Sequence, residues 1–212
     1  MAKKPTYVFD LNAFSLKLNA ESDRACAVLG AALLDAKLEE LFRRRLHCFQ
    51  DELLESARPI GTFSARISLA CALSWVSDDV RGDLDVIRSI RNEFAHNYDH
   101  DLGFADQSIS NKCSNLKITQ AFLEGYGIAA TAPNSNTSAE IFYGIQTKFK
   151  APRWRYQIAV EFIAQYLDDI PAHSVEYSGA NLAEDVRKLS ANTRFRMSAT
   201  GTVGPASKRR AD

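Results

Sequence analysis

The chain has 212 residues, and its 26 Lys and Arg balance its 26 Asp and Glu to a formal net charge of zero. With 46% hydrophobic and 25% charged residues it has the composition of a globular domain, which excludes a fibrous or wholly disordered chain. The charge balance argues against a broad basic platform for nucleic acid, and the length suits one domain with tails.

The four cysteines, Cys26, Cys48, Cys71 and Cys113, include no C-x-x-C pair. That spacing disfavours a zinc site or a thioredoxin-type motif. All four fall in segments that read as helical, so buried, reduced thiols are expected. Neither a cofactor nor a metal ion is expected. The N-terminus lacks an apolar signal core and no run approaches 18 apolar residues. The expectation is a cytoplasmic protein without a membrane span.

In chain order, residues 1–19 carry no clear period; Phe9, Leu11, Phe14, Leu16 and Leu18 suit a short helix or a strap across the core. Asn19 reads as an N-cap, with Glu21 and Asp23 in a first turn where the helix dipole favours acids. The helical period then runs over 21–56, through Leu29, Leu33, Phe42, Leu46, Phe49 and Leu53. One helix of that length spans about 50 Å at 1.5 Å per residue, so a bend is expected between Leu34 and Glu40. Pro59 and Gly61 break the pattern, and Thr62 caps a helix over 63–75 with an inner stripe of Phe63, Ile67, Ala70, Cys71 and Ser74. Ser77, Asp78 and Asp79 open a helix over 78–96, whose stripe is Val80, Leu84, Ile87, Arg91, Phe94 and Ala95, flanked by Ile90.

Asp106 reads as the cap of a helix over 106–118 carrying Ile109, Cys113 and Leu116. Residues 125–152 hold three glycines, two prolines and the run T-A-P-N-S-N-T-S, and read as a long loop insertion. A helix over 153–169 with Ala159, Phe162, Ile163 and Tyr166 follows, and Pro171 stops it. From Arg187 onward seven basic residues face one acid, Asp212, which reads as a disordered basic tail; a short helix at 182–189 is an option. The fold class is all-α: a single bundle of about five main helices over 20–170, preceded by a strap over 1–19 and followed by the tail over 171–212.

The helices at 63–75 and 78–94 imitate a DNA-reading helix-turn-helix. The second of them carries Leu84, Ile87, Ile90 and Phe94, which makes it a core helix rather than a recognition helix. The run K-F-K-A-P-R-W-R-Y at 148–156 mixes bases and aromatics. It suits an RNA or phosphate contact, or, more commonly, a helix start with exposed cations and a buried Trp154.

Chemistry concentrates in R-S-I-R-N-E-F-A-H, Arg88 to His96. Arg91 falls on the apolar stripe, where an arginine needs a partner for its charge. Asn92 and His96 are four apart and share a helix face. A helix C-terminus favours the imidazolium of His96.

R-N-E-F-A-H resembles the Arg-to-His motif of the HEPN superfamily of helical bundles. E-S-D-R-A-C-A-V-L-G-A-A-L-L-D at 21–35, G-T-F-S-A-R-I-S-L-A-C-A-L at 61–73 and V-S-D-D-V-R-G-D-L-D-V-I-R-S-I-R-N-E-F-A-H at 76–96 resemble the mannitol operon repressor (MltR-like) family. The resemblance covers roughly residues 20–118, with an echo at 153–167, and leaves out the insertion and the tail. It implies an all-helical regulator that lacks a DNA-binding module and acts through other proteins. The HEPN resemblance implies an alternative, metal-independent RNA cleavage at a homodimer interface. There His96 moves the proton, Arg91 holds the phosphorane charge, Asn92 orients the imidazole, and Asp23 and Arg24 support them. Against catalysis stands a plain structural role: Arg91 as a buried clamp paired with Asp23 or Asp85, and His96 as a helix cap.

Overall fold

In the computed structural model of the chain the described residues are 10–46, 50–97, 101–131, 148–170, 195–197 and 203–205. They form eight helices: α1 (Leu11–Ala20), α2 (Asp23–Arg45), α3 (Gln50–Leu54), α4 (Phe63–Ala72), α5 (Asp78–His96), α6 (Gln107–Ser114), α7 (Lys117–Thr131) and α8 (Pro152–Asp169). Two three-residue strands, β1 (Phe195–Met197) and β2 (Val203–Pro205), pair antiparallel with Arg196 opposite Gly204. The architecture is the expected all-α bundle.

The bundle is built around α8. Twelve of its residues are buried, among them Tyr156, Ile158, Val160, Phe162, Ile163 and Leu167, the pattern of a helix enclosed on every side. It packs along α2 and also meets α1, α5, α6 and α7, while α2 in turn packs on α4 and α5. The α2–α8 approach is close. A Cβ on Gly30 would lie 2.9 Å from the Tyr156 ring and hydroxyl, so only glycine fits there. Tyr156 is fully buried, and its hydroxyl donates to the Ala27 carbonyl at 2.6 Å. Phe104 bridges α5 to α8, its ring centroid 5.3 Å from Phe94 and 5.2 Å from Tyr156.

The boundaries differ from the sequence expectation in instructive ways. Asn19 lies inside α1, and the N-cap of α2 is Ser22, whose Oγ accepts from the Ala25 N–H at 3.2 Å. No bend interrupts Leu34 to Glu40, because Leu34, Lys37, Leu38 and Leu41 keep one buried stripe running; the break comes at Leu46. Thr62 and Ser77 cap α4 and α5 as expected, each accepting from the N–H three residues on. α4 ends at Ala72, and Ser74, expected on its inner stripe, is exposed with φ 56°.

The helix expected over 106–118 is two helices. The Asp83 carboxylate of α5 accepts from the Lys117 and Ile118 N–H groups, both at 2.8 Å, and so starts α7 from outside its own sequence. α7 runs to Thr131, into the segment expected to be a loop; residues 132–147 lie outside the described residues. The expected disordered tail and its helix at 182–189 fall mainly outside them too, and the part described is the β1–β2 pair. α8 matches its expected span, with Pro152 in the first turn.

Candidate functional site

The motif residues sit at the C-terminal end of α5, where three other parts of the chain converge. α5 buries Val80, Asp83, Leu84, Ile87, Ile90 and Phe94. Arg91 follows Ile90 by one residue, about 100° around the helix, and is exposed rather than on the stripe. That corrects the expectation of a buried arginine. Ala95 and His96 are exposed too. The Arg91 guanidinium donates to Asn92 Oδ1 at 2.9 Å, and among the described residues no hydrogen bond joins Asn92 to His96.

Asp23 and Arg24 do reach this end of the molecule. Arg24 donates to the Phe94 carbonyl at 2.6 Å and the Asn97 carbonyl at 2.8 Å. It thereby caps the negative end of α5 on either side of His96. Asp23 opens α2 and turns its carboxylate the other way. It accepts from the Phe104 N–H at 2.8 Å and pairs with Arg153 of α8 at 2.7 Å. Arg153 also donates to the carbonyls of Leu18 at 2.8 Å and Glu21 at 2.5 Å, closing the end of α1. One turn back on α5, Glu93 accepts from Lys112 and from Ser108, the latter at 2.6 Å. Burial pushes the Glu93 carboxyl up, but those two hydrogen bonds and the lysine charge outweigh it and hold it below the usual range.

Neither proposed clamp partner serves Arg91, since Asp23 pairs with Arg153 and Asp85 with Arg81 and Arg88. The buried clamp is Arg66 of α4. Its guanidinium meets Asp35 at 2.6 Å, Glu39 at 3.0 Å and the Leu54 carbonyl at 3.0 Å, with Nε left unpaired. The signals were present in the sequence. Arg66 stands four residues before buried Ala70, and Asp35 and Glu39 stand four apart on α2. Arg153 also had one, because a cation in the first turn of a helix opposes the dipole and so points to an outside partner.

The other sequence candidates take structural roles. Trp154 is half-buried, its ring edge-on to buried Phe149 at 4.5 Å, and Arg155 donates to the Phe149 carbonyl. Cys26 and Cys113 are buried, and burial pushes their thiols up to about 11 and about 12, which leaves them unreactive. Cys71 is half-buried and donates to Asp78; Cys48 lies outside the described residues. Among the described residues no three His, Cys, Asp or Glu side chains cluster to hold a metal ion, and no helix is long and apolar enough to cross a membrane.

No protein-family model and no curated protein match the chain. Two solved structures share its fold. A chain in the X-ray structure of the MtlR–HPr complex from Escherichia coli aligns with a TM-score of 0.53 at 18% identity, covering 74% of this chain and 98% of that one. A possible transcriptional regulator, YggD from Shigella flexneri, aligns with a TM-score of 0.52 at 15% identity, covering 79% and 99%. At these identities the likeness is one of fold: the bundle is MtlR-like.

Proposed function

We propose that this chain is an MtlR-like regulator of gene expression that works by binding another protein rather than by reading DNA. The observation that carries the reading is the burial of α5. The helix that would have to enter a major groove has Val80, Leu84, Ile87, Ile90 and Phe94 fully inside the core, while the bundle around it aligns over 98% of the chain in the MtlR–HPr complex. The zero net charge agrees, since the phosphate backbone dominates DNA affinity. In the E. coli structure MtlR is seen with a protein, HPr, so HPr from the same cell is the first partner to test. Calorimetric titration of the purified chain with that protein should give saturable binding. Absence of binding up to 100 µM would remove this partner.

A second reading, metal-independent cutting of RNA in a HEPN-like homodimer, is favoured by the exposure of both Arg91 and His96. Five residues apart on a helix, they point about 140° from each other, so a cleft needs a second chain. RNA held with the protein in EDTA is expected to stay intact. Products with 2′,3′-cyclic phosphate ends that vanish in His96→Ala would reverse the order of the two readings.

A further inference from the structure

α1 is held shallowly, packed on α2, α8 and β2. Of residues 13–20 only Ser15 and Leu18 are buried and Phe14 is half-buried, while Leu16 is 63% exposed. Beside the Arg153 bonds to its Leu18 and Asn19 carbonyls, one described hydrogen bond ties an α1 side chain to the bundle: Ser15 Oγ donates to Glu161 Oε1 at 2.5 Å. Glu161 lies in the middle of the central helix, buried, with no ion pair among the described residues. The groove floor beneath α1 thus holds a carboxyl that water would serve better than the closed structure does.

We propose that α1 is a strap latched to α8 through a protonated Glu161, and that loss of this proton lets α1 lift from the bundle while the remaining helices stay folded. With the proton in place, Glu161 is a neutral acid and the Ser15 hydroxyl satisfies one of its oxygens. Once the proton leaves for solvent, a full negative charge lies under α1 with one hydroxyl to stabilise it. Lifting α1 gives water to the carboxylate. The exposed Glu21 and Ser22 between α1 and α2 are the pivot, tethered where Arg153 holds the Glu21 carbonyl.

Among the described residues the charges on the neighbouring helices are engaged elsewhere. On α2, Asp23 pairs with Arg153 of α8, Lys37 with Asp168 and Glu40, and the Cys26 thiol stays neutral. On α6, Lys112 pairs with Glu93 of α5, and the Cys113 thiol is neutral. Between α5 and α7, Lys117 pairs with Asp79, and Asp83 is taken by the backbone of α7. On α1, Asp10 caps its own helix at Ala13 and Lys17 is exposed. Burial pushes the Glu161 carboxyl up to about 7, offset in part by Ser15. Closing α1 therefore takes up a proton. Closure is strongest below the ordinary glutamate value of 4.5 and is lost as pH rises through about 7.

Hydrogen–deuterium exchange of the full chain at pH 6, 7.5 and 9, corrected for intrinsic rates, tests this directly. Protection of the α1 amides should fall by up to about tenfold per pH unit on the approach to pH 7 and level off above it, so that the drop lies between pH 6 and 7.5, with α5 and α8 protection unchanged. In Glu161→Gln the α1 protection should not vary with pH. Ser15→Ala, which removes the buried hydroxyl that serves Glu161, should lower α1 protection already at pH 6. Protection of α1 that is flat with pH in the unmodified chain, or that falls only together with α8, would overturn the proposal without recourse to either variant.

Discussion

Replacing the two arginines in turn measures where the structural clamp lies. Arg66 has a side chain 6% exposed that ties α4 to α2 through Asp35 and Glu39 and to the end of α3 through the Leu54 carbonyl. Orphaning a fully buried ion-pair partner costs about 3–5 kcal/mol. Here Asp35 and Glu39 keep 35% and 33% of their side-chain surface exposed, so water recovers part of that cost. Arg66→Ala should therefore destabilise by about 2–3 kcal/mol, near or just below the bottom of that range. At about 2–4 °C per kcal/mol for a chain of this size, the melting temperature should fall by about 4–12 °C. Arg91, exposed and bonded among the described residues only to neighbouring Asn92, should tolerate alanine within about 0.5 kcal/mol. Thermal unfolding followed by circular dichroism at 222 nm reads both. A loss at Arg91 equal to or larger than that at Arg66 would refute the assignment of the clamp.

Further outcomes follow from close packing and from buried acids. Gly30→Ala should cost about 1–3 kcal/mol in urea unfolding, because the new methyl group meets Tyr156 at 2.9 Å and Val160 at 3.0 Å. Ser74→Gly should stabilise by about 0.5–1 kcal/mol, since Ser74 holds φ 56° after α4, where glycine carries no Cβ strain. Asp83 and Glu161 are pushed up by burial to about 6 and about 7 from ordinary values of 3.8 and 4.5. The folded chain thus holds both protons more tightly than the unfolded one. Their contribution is fully present below those ordinary values and lost as pH rises through 6 and 7. The urea midpoint should be higher at pH 5.5 than at pH 8, and the difference should shrink in Glu161→Gln; a midpoint that climbs over the same interval would contradict the sign.

How much of this was legible depended on whether a signal was local. Thr62 and Ser77 were readable as caps because each accepts from an N–H three residues along its own chain. The core face of α5 was readable from its period, apart from Arg91 and Ala95, which each lie one position off the stripe and are exposed. The start of α7 was not readable, because its cap is Asp83, 34 residues upstream on another helix. Asn19 was a miss of another kind: the residue type fits an N-cap, but α1 runs through it and Ser22, three residues on, caps α2. At the candidate site the sequence placed Arg91, Asn92 and His96 at the C-terminal end of α5, where they lie. It gave Asp23 and Arg24 a common role, whereas adjacent positions on a helix point apart, and the two serve Arg153 and α5 separately. The clamp went to Arg91 instead of Arg66 because which of two arginines near an apolar stripe is buried turns on about 100° of helix rotation.

The central claim, a regulator that does not itself read DNA, is tested most directly by selection of the purified full-length chain against a random-sequence duplex DNA library at physiological salt. With α5 buried and no net charge, repeated rounds should enrich no sequence, and any residual binding should be weak and equal for all duplexes. Emergence of a defined motif bound with nanomolar affinity by the chain alone would contradict the account.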